Sequence, residues 1–503
     1  MPIAPLRHIV IVGGGTAGWM CAAALSKLLP SDYRIRLVES DEIGIIGVGE
    51  ATIPFIRSFN ERLGIDESEF MRATQGSFKL GIEFVNWAAI GDHYIHGFGR
   101  VGVDVEGTPF HHIWRRLHQL GLAADLGEYS LNTVAPALAR FQRPRPDMTG
   151  SPLADLAYAY HFDAGLYARF MRTYAEARGA QRSEGRIEQV LQDECNGHVR
   201  ALRMASGELI EGDFFIDCSG MRALLIEQTL QSGFEDWSHW LPCDRAQAVP
   251  CASADPLLPI TRSTAHGAGW QWRIPLQHRI GNGHVYASAY LDDDQAQRVL
   301  LDHLDGPALA EPRLVKFRTG RRKQSWCGNC VAVGLSSGFL EPLESTSIHL
   351  IHTAINRLLV FFPHAGLEAI DIAEYNRQTQ FEYERVRDFI ILQYKATERE
   401  DTPFWQYCRH MEVPDTLQQK MDLFRSNGRI LREGAELFVE SSWLQVMVGQ
   451  RILPQAYHPF AERHPLGQTQ VFVQDVQRVI RRCAESMPEH AQFIARYCAS
   501  PKP

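Results

Sequence analysis

The feature that most constrains the fold is a glycine-rich turn that directly follows a short apolar run. The run over residues 8–12 is typical of a parallel strand buried on both faces. Residues 13–18, Gly-Gly-Gly-Thr-Ala-Gly, come next, and residues 19–29 then form a good helix sequence. A second strand over residues 34–38 ends at Glu39, about 21 residues beyond Gly18. Strand, turn, helix and strand in this order predict a βαβ unit.

This unit has the composition of a dinucleotide site. Glycines permit a tight turn and let backbone N–H groups approach a pyrophosphate at the positive end of the helix. An acidic side chain at the spacing of Glu39 can hold the hydroxyl pair of a ribose. The cofactor-binding residues predicted here are Gly13, Gly15, Thr16, Ala17, Gly18 and Glu39.

Two later segments favour FAD over NAD. Residues 214–220 form an apolar strand that ends in Asp217-Cys-Ser-Gly, and residues 331–338 form another that ends in small residues, with Gly334 and Gly338 at its turn. The order of these segments after the glycine turn resembles the FAD-binding fold of the aromatic hydroxylase and halogenase group, which implies FAD and places Asp217, Gly334 and Gly338 beside the cofactor. Residues 186–210 predict a β-hairpin, and the chain becomes helical after about residue 350.

The predicted fold class is therefore α/β: a Rossmann-like FAD-binding fold with an added β-sheet and a helical C-terminal part. We predict a discontinuous FAD-binding module over residues 1–400, with the substrate region inserted as a β-sheet. Residues 401–503 are predicted to be a helical region that covers the substrate.

Composition excludes several classes of function. The net charge of −8 and the lack of a Lys/Arg-rich run argue against a nucleic-acid partner or an anionic membrane surface. The N-terminus has no signal-peptide pattern, and no window is long and apolar enough to span a membrane, so we expect a soluble cytoplasmic protein. The ten cysteines are scattered, and Cys327 and Cys330 have no second pair at metal spacing. We predict no metal site.

Three short motifs carry the chemistry. Lys79 lies among apolar and small residues in the run 76–81, where burial would lower the pKa of an amine. Residues 270–275 read Trp-Gln-Trp-Arg-Ile-Pro, so that Trp270 and Trp272 share one face of a strand that Pro275 ends. Glu344 stands in the run 341–346, Glu-Pro-Leu-Glu-Ser-Thr, just before an apolar helix. Each motif also has a structural explanation: a solvent-reaching lysine, a pair of core indoles and a helix cap.

Together with the glycine turn, these motifs resemble the flavin-dependent halogenases of the tryptophan halogenase family. The resemblance implies that reduced FAD, O₂ and chloride or bromide yield hypohalous acid, which Lys79 aims at an indole-type aromatic such as tryptophan, indole or a derivative. It gives Glu344 the role of stabilising the cationic ring intermediate and taking its proton.

The resemblance also assigns the surroundings of these two residues. It places the halide at Thr346 and Ser347, where Ser347 stands instead of the glycine of the best-known tryptophan halogenases, so halide preference stays open. Residues 47–54, with Gly49 and Ala51, would line the reactive side of the flavin. Trp270, Trp272 and Pro275 would wall the flavin off from the substrate and prevent direct oxygen insertion.

The substrate end is less defined. Halogenases of free tryptophan hold the amino acid with a tyrosine pair and a glutamate, and residues 441–450 contain neither. A smaller indole-like aromatic, or one embedded in a larger molecule, therefore fits better. Candidate aromatic walls are Trp443, Phe98, Trp114 and Phe404.

We expect a separate flavin reductase, because no second nucleotide loop is evident, and we leave a homodimer open. Two alternatives also stay open: an FAD-dependent aromatic monooxygenase, and a flavin-binding protein without catalysis. The Trp-x-Trp-x-Ile-Pro run and the lysine argue against the monooxygenase. Lys79 and Glu344 together argue against the non-catalytic protein.

Overall fold

The computed structural model describes residues 6–42, 49–363 and 366–501. The helices are α1 Thr16–Leu28, α2 Phe55–Leu63, α3 Glu67–Ala73, α4 Phe110–His118, α5 Leu131–Ala137, α6 Ala164–Glu176, α7 Asp293–Asp302, α8 Ser347–Val360, α9 Ala369–Lys395, α10 Pro403–His410, α11 Asp415–Asn427, α12 Glu440–Gly449, α13 Leu466–Ser486 and α14 His490–Tyr497.

The strands are β1 His8–Val12, β2 Arg34–Glu39, β3 Glu50–Ala51, β4 Ser77–Lys79, β5 Gly81–Val85, β6 His93–Gly97, β7 Ala159–Phe162, β8 Gln181–Glu184, β9 Ile187–Gln192, β10 Val199–Met204, β11 Leu209–Glu211, β12 Phe214–Asp217, β13 Phe234–Asp236, β14 Arg245–Cys251, β15 Thr261–His266, β16 Gly269–Pro275, β17 Ile280–Tyr286, β18 Arg313–Lys316, β19 Gly320–Arg322, β20 Trp326–Cys327, β21 Cys330–Ala332 and β22 Gly338–Phe339.

The chain divides into two compact units, each built from three segments. The first unit contains Met1–Thr74, Phe162–His239 and Phe317–Glu384. The second contains Gln75–His161, Trp240–Lys316 and Arg385–Pro503. Within this division the boundary at residue 400 stays a prediction.

The first unit is organised around a six-stranded sheet of order β20-β21-β12-β1-β2-β8. Strand β1 lies in the middle and pairs in parallel with β2 and β12, which confirms the βαβ unit. Four consecutive residues of β1, Ile9 to Val12, are buried, as expected for a strand covered on both faces. Helix α1 buries its small residues Ala22, Ala23 and Ala24, so its backbone can pack closely.

The predicted hairpin of this unit is a three-stranded antiparallel sheet of order β11-β10-β9. Cys327 and Cys330 face each other across the tight turn between β20 and β21, and both are free thiols. The strand predicted from residue 331 is β21, and the helix predicted after it is α8.

The second unit contains a seven-stranded sheet of order β18-β14-β17-β16-β15-β5-β6. The Trp-x-Trp-x-Ile-Pro run is strand β16, which ends at Pro275 as predicted and pairs antiparallel with β15 and β17. Lys79 ends the short strand β4, which pairs antiparallel with β7. The chain after residue 400 is helical, from α10 to α14, with short loops between.

Two kinds of feature are absent from the described residues. No helix in that part of the chain is long and apolar enough to cross a lipid bilayer. No group of three or more His, Cys, Asp or Glu residues there is placed to hold a metal ion.

Candidate active site

The glycine turn after β1 combines close packing with open space. A Cβ on Gly13 would lie 2.2 Å from the carbonyl oxygen of Cys218, and one on Gly18 would lie 1.8 Å from that of Gly13. Both positions therefore exclude a side chain. Gly15 is different: it precedes the first residue of α1, and no atom lies within 4 Å of where its Cβ would be. The turn leaves room at a helix N-terminus, where a phosphate is favoured.

The predicted acid lies against this turn. A Cβ on Gly14 would overlap the Glu39 carboxylate, so the side chain of Glu39 reaches back across the glycines. Its Oε1 atom accepts a hydrogen bond of 2.5 Å from Nε of Arg182, and Arg172 lies 3.7 Å away. Glu39 thus lies beside the glycine turn, where its contact with a ribose stays a prediction, and it also belongs to an ion pair that the sequence did not predict.

Strand β21 and the turn that follows it lie close to the same glycine turn. Gly334 follows β21 with φ of +74°, and a Cβ there would lie 2.9 Å from Cβ of Ala17 in α1. Thr16 and Ala17 are the first two residues of α1. Gly338 opens β22, where a Cβ would meet the carbonyl oxygen of Gly320 at 2.7 Å. Gly334 is therefore adjacent to the dinucleotide turn, and Gly338 packs against a neighbouring strand.

Asp217 is fully buried at the end of β12, and the hydrogen bonds of its carboxylate are with its own loop. One carboxylate oxygen accepts hydrogen bonds from the backbone N–H and the hydroxyl of Ser219, at 2.9 and 2.6 Å. The other accepts from the backbone N–H groups of Leu225 and Ile226, both at 2.8 Å. Asp217 thus organises the loop after β12, and its predicted contact with the cofactor stays a prediction.

The turn before α8 carries Glu344 and the predicted halide residues. Glu344 closes a single 3₁₀ turn, Pro342–Glu344, and its side chain is buried. Ser345 follows with φ of +58°, and α8 then begins at Ser347. Thr346 occupies the position that normally caps a helix, yet its buried hydroxyl makes no cap hydrogen bond and has no partner among the described residues. A buried hydroxyl left in this way is suited to a polar ligand.

The segment predicted to line the flavin packs beside this turn. Of residues 47–54, Gly47 and Val48 lie outside the described residues. Gly49 has φ of +115°, and Ala51 is buried in β3. Thr52 and Ile53 line a narrow cavity, too tight for a water molecule, together with Ile348 and His349 of α8. The segment 47–54 and the start of α8, which are far apart in the chain, therefore meet within the first unit.

Lys79 is completely buried in the second unit. Its Nζ atom lies 5.2 Å from the centre of the Phe98 ring, within reach of a cation–π contact. The residue opposite Lys79 on β7 is Ala159, which is small and also completely buried. The simple explanation of a lysine whose head reaches solvent is thus excluded.

The two tryptophans lie side by side on β16. Their ring centres are 6.2 Å apart, and Trp270 is buried. Trp272 stands opposite Gly283 of β17, and its indole lies against that glycine: a Cβ on Gly283 would be 2.1 Å from the ring. Trp272 therefore depends on the missing side chain of its neighbour.

A chain of hydrogen bonds joins the lysine motif to the tryptophan motif. The Ser77 hydroxyl donates to the carbonyl of Pro275 at 2.5 Å, so towards Nδ1 of His161, 2.9 Å away, it acts as acceptor. Nε2 of His161 then accepts from the Thr261 hydroxyl at 2.8 Å. Burial lowers the pKa of His161 well below 6.5, and the charge of Lys79 lowers it further, so the ring stays neutral.

His161 was not predicted from the sequence, because nothing in its local pattern marks it.

The candidate aromatic walls also differ from one another. Trp443, Trp114 and Phe404 are buried in packed clusters, Trp443 against Phe389 and Phe404 against Trp405. Phe98 is partly exposed and is the candidate that contacts Lys79.

The fold and the cradle define a class. A parallel sheet with a glycine turn, an acid at the end of the second strand and a late glycine turn beside the helix is typical of a dinucleotide-binding flavoenzyme. The fit is supported by the open space at Gly15 and by the unpartnered Thr346 hydroxyl.

Comparison with known proteins gives the family. The family model described as tryptophan halogenase matches residues 8–465. The tryptophan 7-halogenase RebH from Lentzea aerocolonigenes is 34% identical over 97% of this chain and 98% of its own length. Two solved flavin-dependent halogenases, Xcc4156 from Xanthomonas campestris and BrvH from Brevundimonas sp. BAL3, are 50% and 47% identical, with TM-scores of 0.96 and 0.94. Each covers 99% of this chain, and 100% and 99% of the two structures are covered in turn.

The chain belongs to the tryptophan halogenase family. The resemblance inferred from the motifs and the predicted α/β fold class are thereby confirmed. The protein is a flavin-dependent enzyme that halogenates an aromatic substrate, and the monooxygenase alternative is not favoured.

Proposed function

We propose that the protein uses reduced FAD, O₂ and chloride or bromide to halogenate an indole-type aromatic, with Lys79 directing the oxidant. The observation that carries the proposal is the complete burial of Lys79 against Phe98. A buried lysine is rare because desolvating an ammonium is costly, and such residues concentrate at functional sites.

The bound flavin would be held by the glycine turn, with Gly15 leaving space for the pyrophosphate and Glu39 facing the ribose. With O₂ and a halide, the reduced cofactor supplies hypohalous acid. The overall reaction consumes arene, halide, one proton, O₂ and FADH₂, and it gives haloarene, FAD and two molecules of water. Nothing in this balance requires a metal, and NAD(P)H enters only through a separate flavin reductase.

Lys79 would act on the oxidant after it forms. Its ammonium can donate a hydrogen bond to the oxygen of hypohalous acid, which makes the halogen more electrophilic as the new carbon–halogen bond forms and hydroxide leaves. The alternative is halogenation of the amine itself, followed by transfer to the ring. In either route Lys79 restricts where an otherwise diffusible oxidant reacts.

Glu344 would take the proton that the ring loses when the carbon–halogen bond forms. A buried carboxylate has few competing water molecules, and its negative charge stabilises the cationic ring before the proton leaves. Thr346 and Ser347 at the start of α8 would hold the halide, because a helix N-terminus presents free N–H groups and a positive dipole.

An indole without an amino-acid backbone is the substrate class that the residues favour. Recognition of free tryptophan needs partners for both an ammonium and a carboxylate, since leaving either unpaired on burial costs several kcal/mol. Within residues 441–450, Gln445 of α12 bonds both backbone groups of Gly97, at 3.0 Å each, so its amide is already engaged. Phe98 would then provide the aromatic contact next to Lys79.

The test supplies reduced FAD, O₂ and bromide or chloride together with indole and free tryptophan, and it records product masses. The expected product carries a halogen isotope pattern, and indole is processed with a higher kcat/KM than tryptophan. A gain of one oxygen would instead indicate monooxygenation, and an unchanged substrate would indicate no catalysis. If kcat/KM for tryptophan exceeds that for indole by tenfold, about 1.4 kcal/mol, the proposed substrate class is wrong.

A further inference from the structure

Two buried polar atoms at the start of α8 have no partner among the described residues. One is the hydroxyl of Thr346, and the other is Nδ1 of His349. Thr346 and His349 are three residues apart, so they are neighbours on one side of the helix. Side chains in a helix point back towards its N-terminus, and the His349 ring therefore covers the turn that carries Thr346 and Ser347. Buried polar atoms in proteins are nearly always hydrogen-bonded, so two neighbouring atoms without a partner call for an explanation.

The other nitrogen of His349 shows which way the ring is oriented. Nε2 lies 3.4 Å from Oε1 of Glu382, a buried carboxylate on α9. The second oxygen of Glu382 accepts hydrogen bonds from Arg357 at 2.8 Å and from Thr353 at 3.0 Å. Burial raises the pKa of Glu382, but the hydrogen bond with His349 and the charge of Arg357 bring it to about 2. Glu382 is therefore an obligate acceptor, and Nε2 of His349 carries a hydrogen that it donates.

This leaves Nδ1 as the nitrogen available to a ligand. Glu382 is the anion on one side of the ring. A second anion can then bind on the other side, in a place where the N-terminus of α8 already favours negative charge. Phe55 packs against the ring, with ring centres 5.1 Å apart.

The neighbouring His352 provides an internal contrast. It is also buried, and its Nδ1 also lacks a partner among the described residues. Its Nε2, however, faces the side-chain amide of Asn356 at 2.6 Å, and the amide oxygen accepts from Arg62 at 3.2 Å. Asn356 therefore donates to His352, which makes that ring neutral, and burial together with the charge of His349 lowers its pKa to about 4. His352 also lies one turn farther from the N-terminus.

We infer that His349, oriented by Glu382, is an anion-binding side chain that acts with the Thr346 hydroxyl at the start of α8. The inference rests on the proposed function in one respect: the anion is either the halide or the negatively charged ring of reduced flavin. Both ligands carry the negative charge that His349 would bind. His349 is thus assigned a binding role beyond the backbone groups of Thr346 and Ser347.

The experiment measures anion binding in the protein without flavin, and flavin binding under anaerobic conditions. Chloride binding is followed by the broadening of the ³⁵Cl resonance and its reversal by bromide. Reduced and oxidised FAD are titrated by quenching of protein fluorescence. The variants are His349→Phe, His349→Gln and, as the matched control on the same helix, His352→Phe.

We expect His349→Phe to weaken chloride binding at least fivefold, with the ratio of affinities for reduced and oxidised FAD unchanged, if the anion is the halide. If the anion is the flavin, that ratio falls at least fivefold and chloride binding is unchanged. His349→Gln recovers part of either effect, and His352→Phe matches the parent protein. Unchanged binding of both ligands in His349→Phe, or an equal loss in His352→Phe, overturns the inference. Halogenation by the parent protein is scored separately, so a failure of the proposed function is recognised independently.

Discussion

Gly283→Ala is expected to displace Trp272 and so to test whether that indole confines the oxidant. The Cβ of alanine would lie 2.1, 2.2 and 2.7 Å from three carbons of the ring. Carbon atoms in contact are normally about 3.5–4.0 Å apart, so the ring must move by roughly 1.5 Å. Trp272 and Gly283 lie on the hydrogen-bonded strands β16 and β17, which cannot separate easily.

The cost of this displacement can be bounded. Overfilling a packed site costs about 1–3 kcal/mol. Trp272 is only half-buried, so its ring can tilt towards the open side, and we expect the lower half of that range. In a chain of this size the melting temperature should therefore fall by only a few degrees, about 1–4 °C. The fraction of hypohalous acid that reaches the substrate, in contrast, should fall severalfold.

The assay measures how the oxidant is divided between two fates, reaction with the substrate and escape into solution. Halogenated indole is measured by mass spectrometry, and escaped hypohalous acid is measured with a trap in the same reaction. Gly267→Ala is the matched control, because its Cβ would meet no atom closer than 3.7 Å. If Gly283→Ala lowers the melting temperature but leaves the division of oxidant unchanged, Trp272 is a packing residue and the partition role is refuted.

Three further outcomes follow from described contacts. Gly15→Trp should abolish FAD binding in a fluorescence titration whereas Gly15→Ala retains most of it, because only the larger side chain fills the space at the start of α1. Equal FAD affinities of the two variants would contradict a pyrophosphate site at this turn. His161→Leu should cost about 2–4 kcal/mol, because it leaves the buried hydroxyls of Ser77 and Thr261 short of a partner. Since His161 bonds Ser77 on the strand that carries Lys79, we expect His161→Leu alone to increase oxidant escape, and to add nothing when it is combined with Lys79→Ala. Additive escape would mean that His161 does not act through Lys79. Burial raises the pKa of Glu50 from 4.5 to about 7, so the stability present below pH 4.5 is lost as pH rises through 7. Glu50→Gln should then raise the free energy of unfolding at pH 8 by up to about 3 kcal/mol and change it little at pH 4, and a gain that is equal at both pH values would exclude this origin.

The parts of the fold that could be predicted are those that short-range sequence patterns determine. The βαβ unit has a continuous apolar strand, a glycine turn and a helix within about 30 residues, and the structure has each of them where it was predicted. Strand β16 was equally readable, because alternating tryptophans and a terminal proline constrain it. The start of α8 followed from the Ser and Thr residues that precede an apolar helix.

The parts that could not be predicted depend on residues far apart in the chain. His161 bonds Ser77 and Thr261 across 84 and 100 residues, and Arg182 bonds Glu39 across 143. No local periodicity reports such pairs, because strand order decides which side chains meet. Buried aromatics show the same limit: Trp443 and Phe98 were equal candidates in the sequence, and only packing separates a core ring from one beside Lys79.

The central claim is that Lys79 directs an oxidant that is made elsewhere in the protein, and one measurement tests it most directly. Lys79→Ala is compared with the parent protein under equal supplies of reduced FAD, O₂ and bromide, with indole and an oxidant trap present. We predict that halogenated indole falls by at least a hundredfold, about 2.7 kcal/mol, while flavin oxidation continues at an unchanged rate and trapped hypobromous acid increases. Regioselective halogenation that persists in Lys79→Ala at more than a tenth of the parent rate would contradict the account.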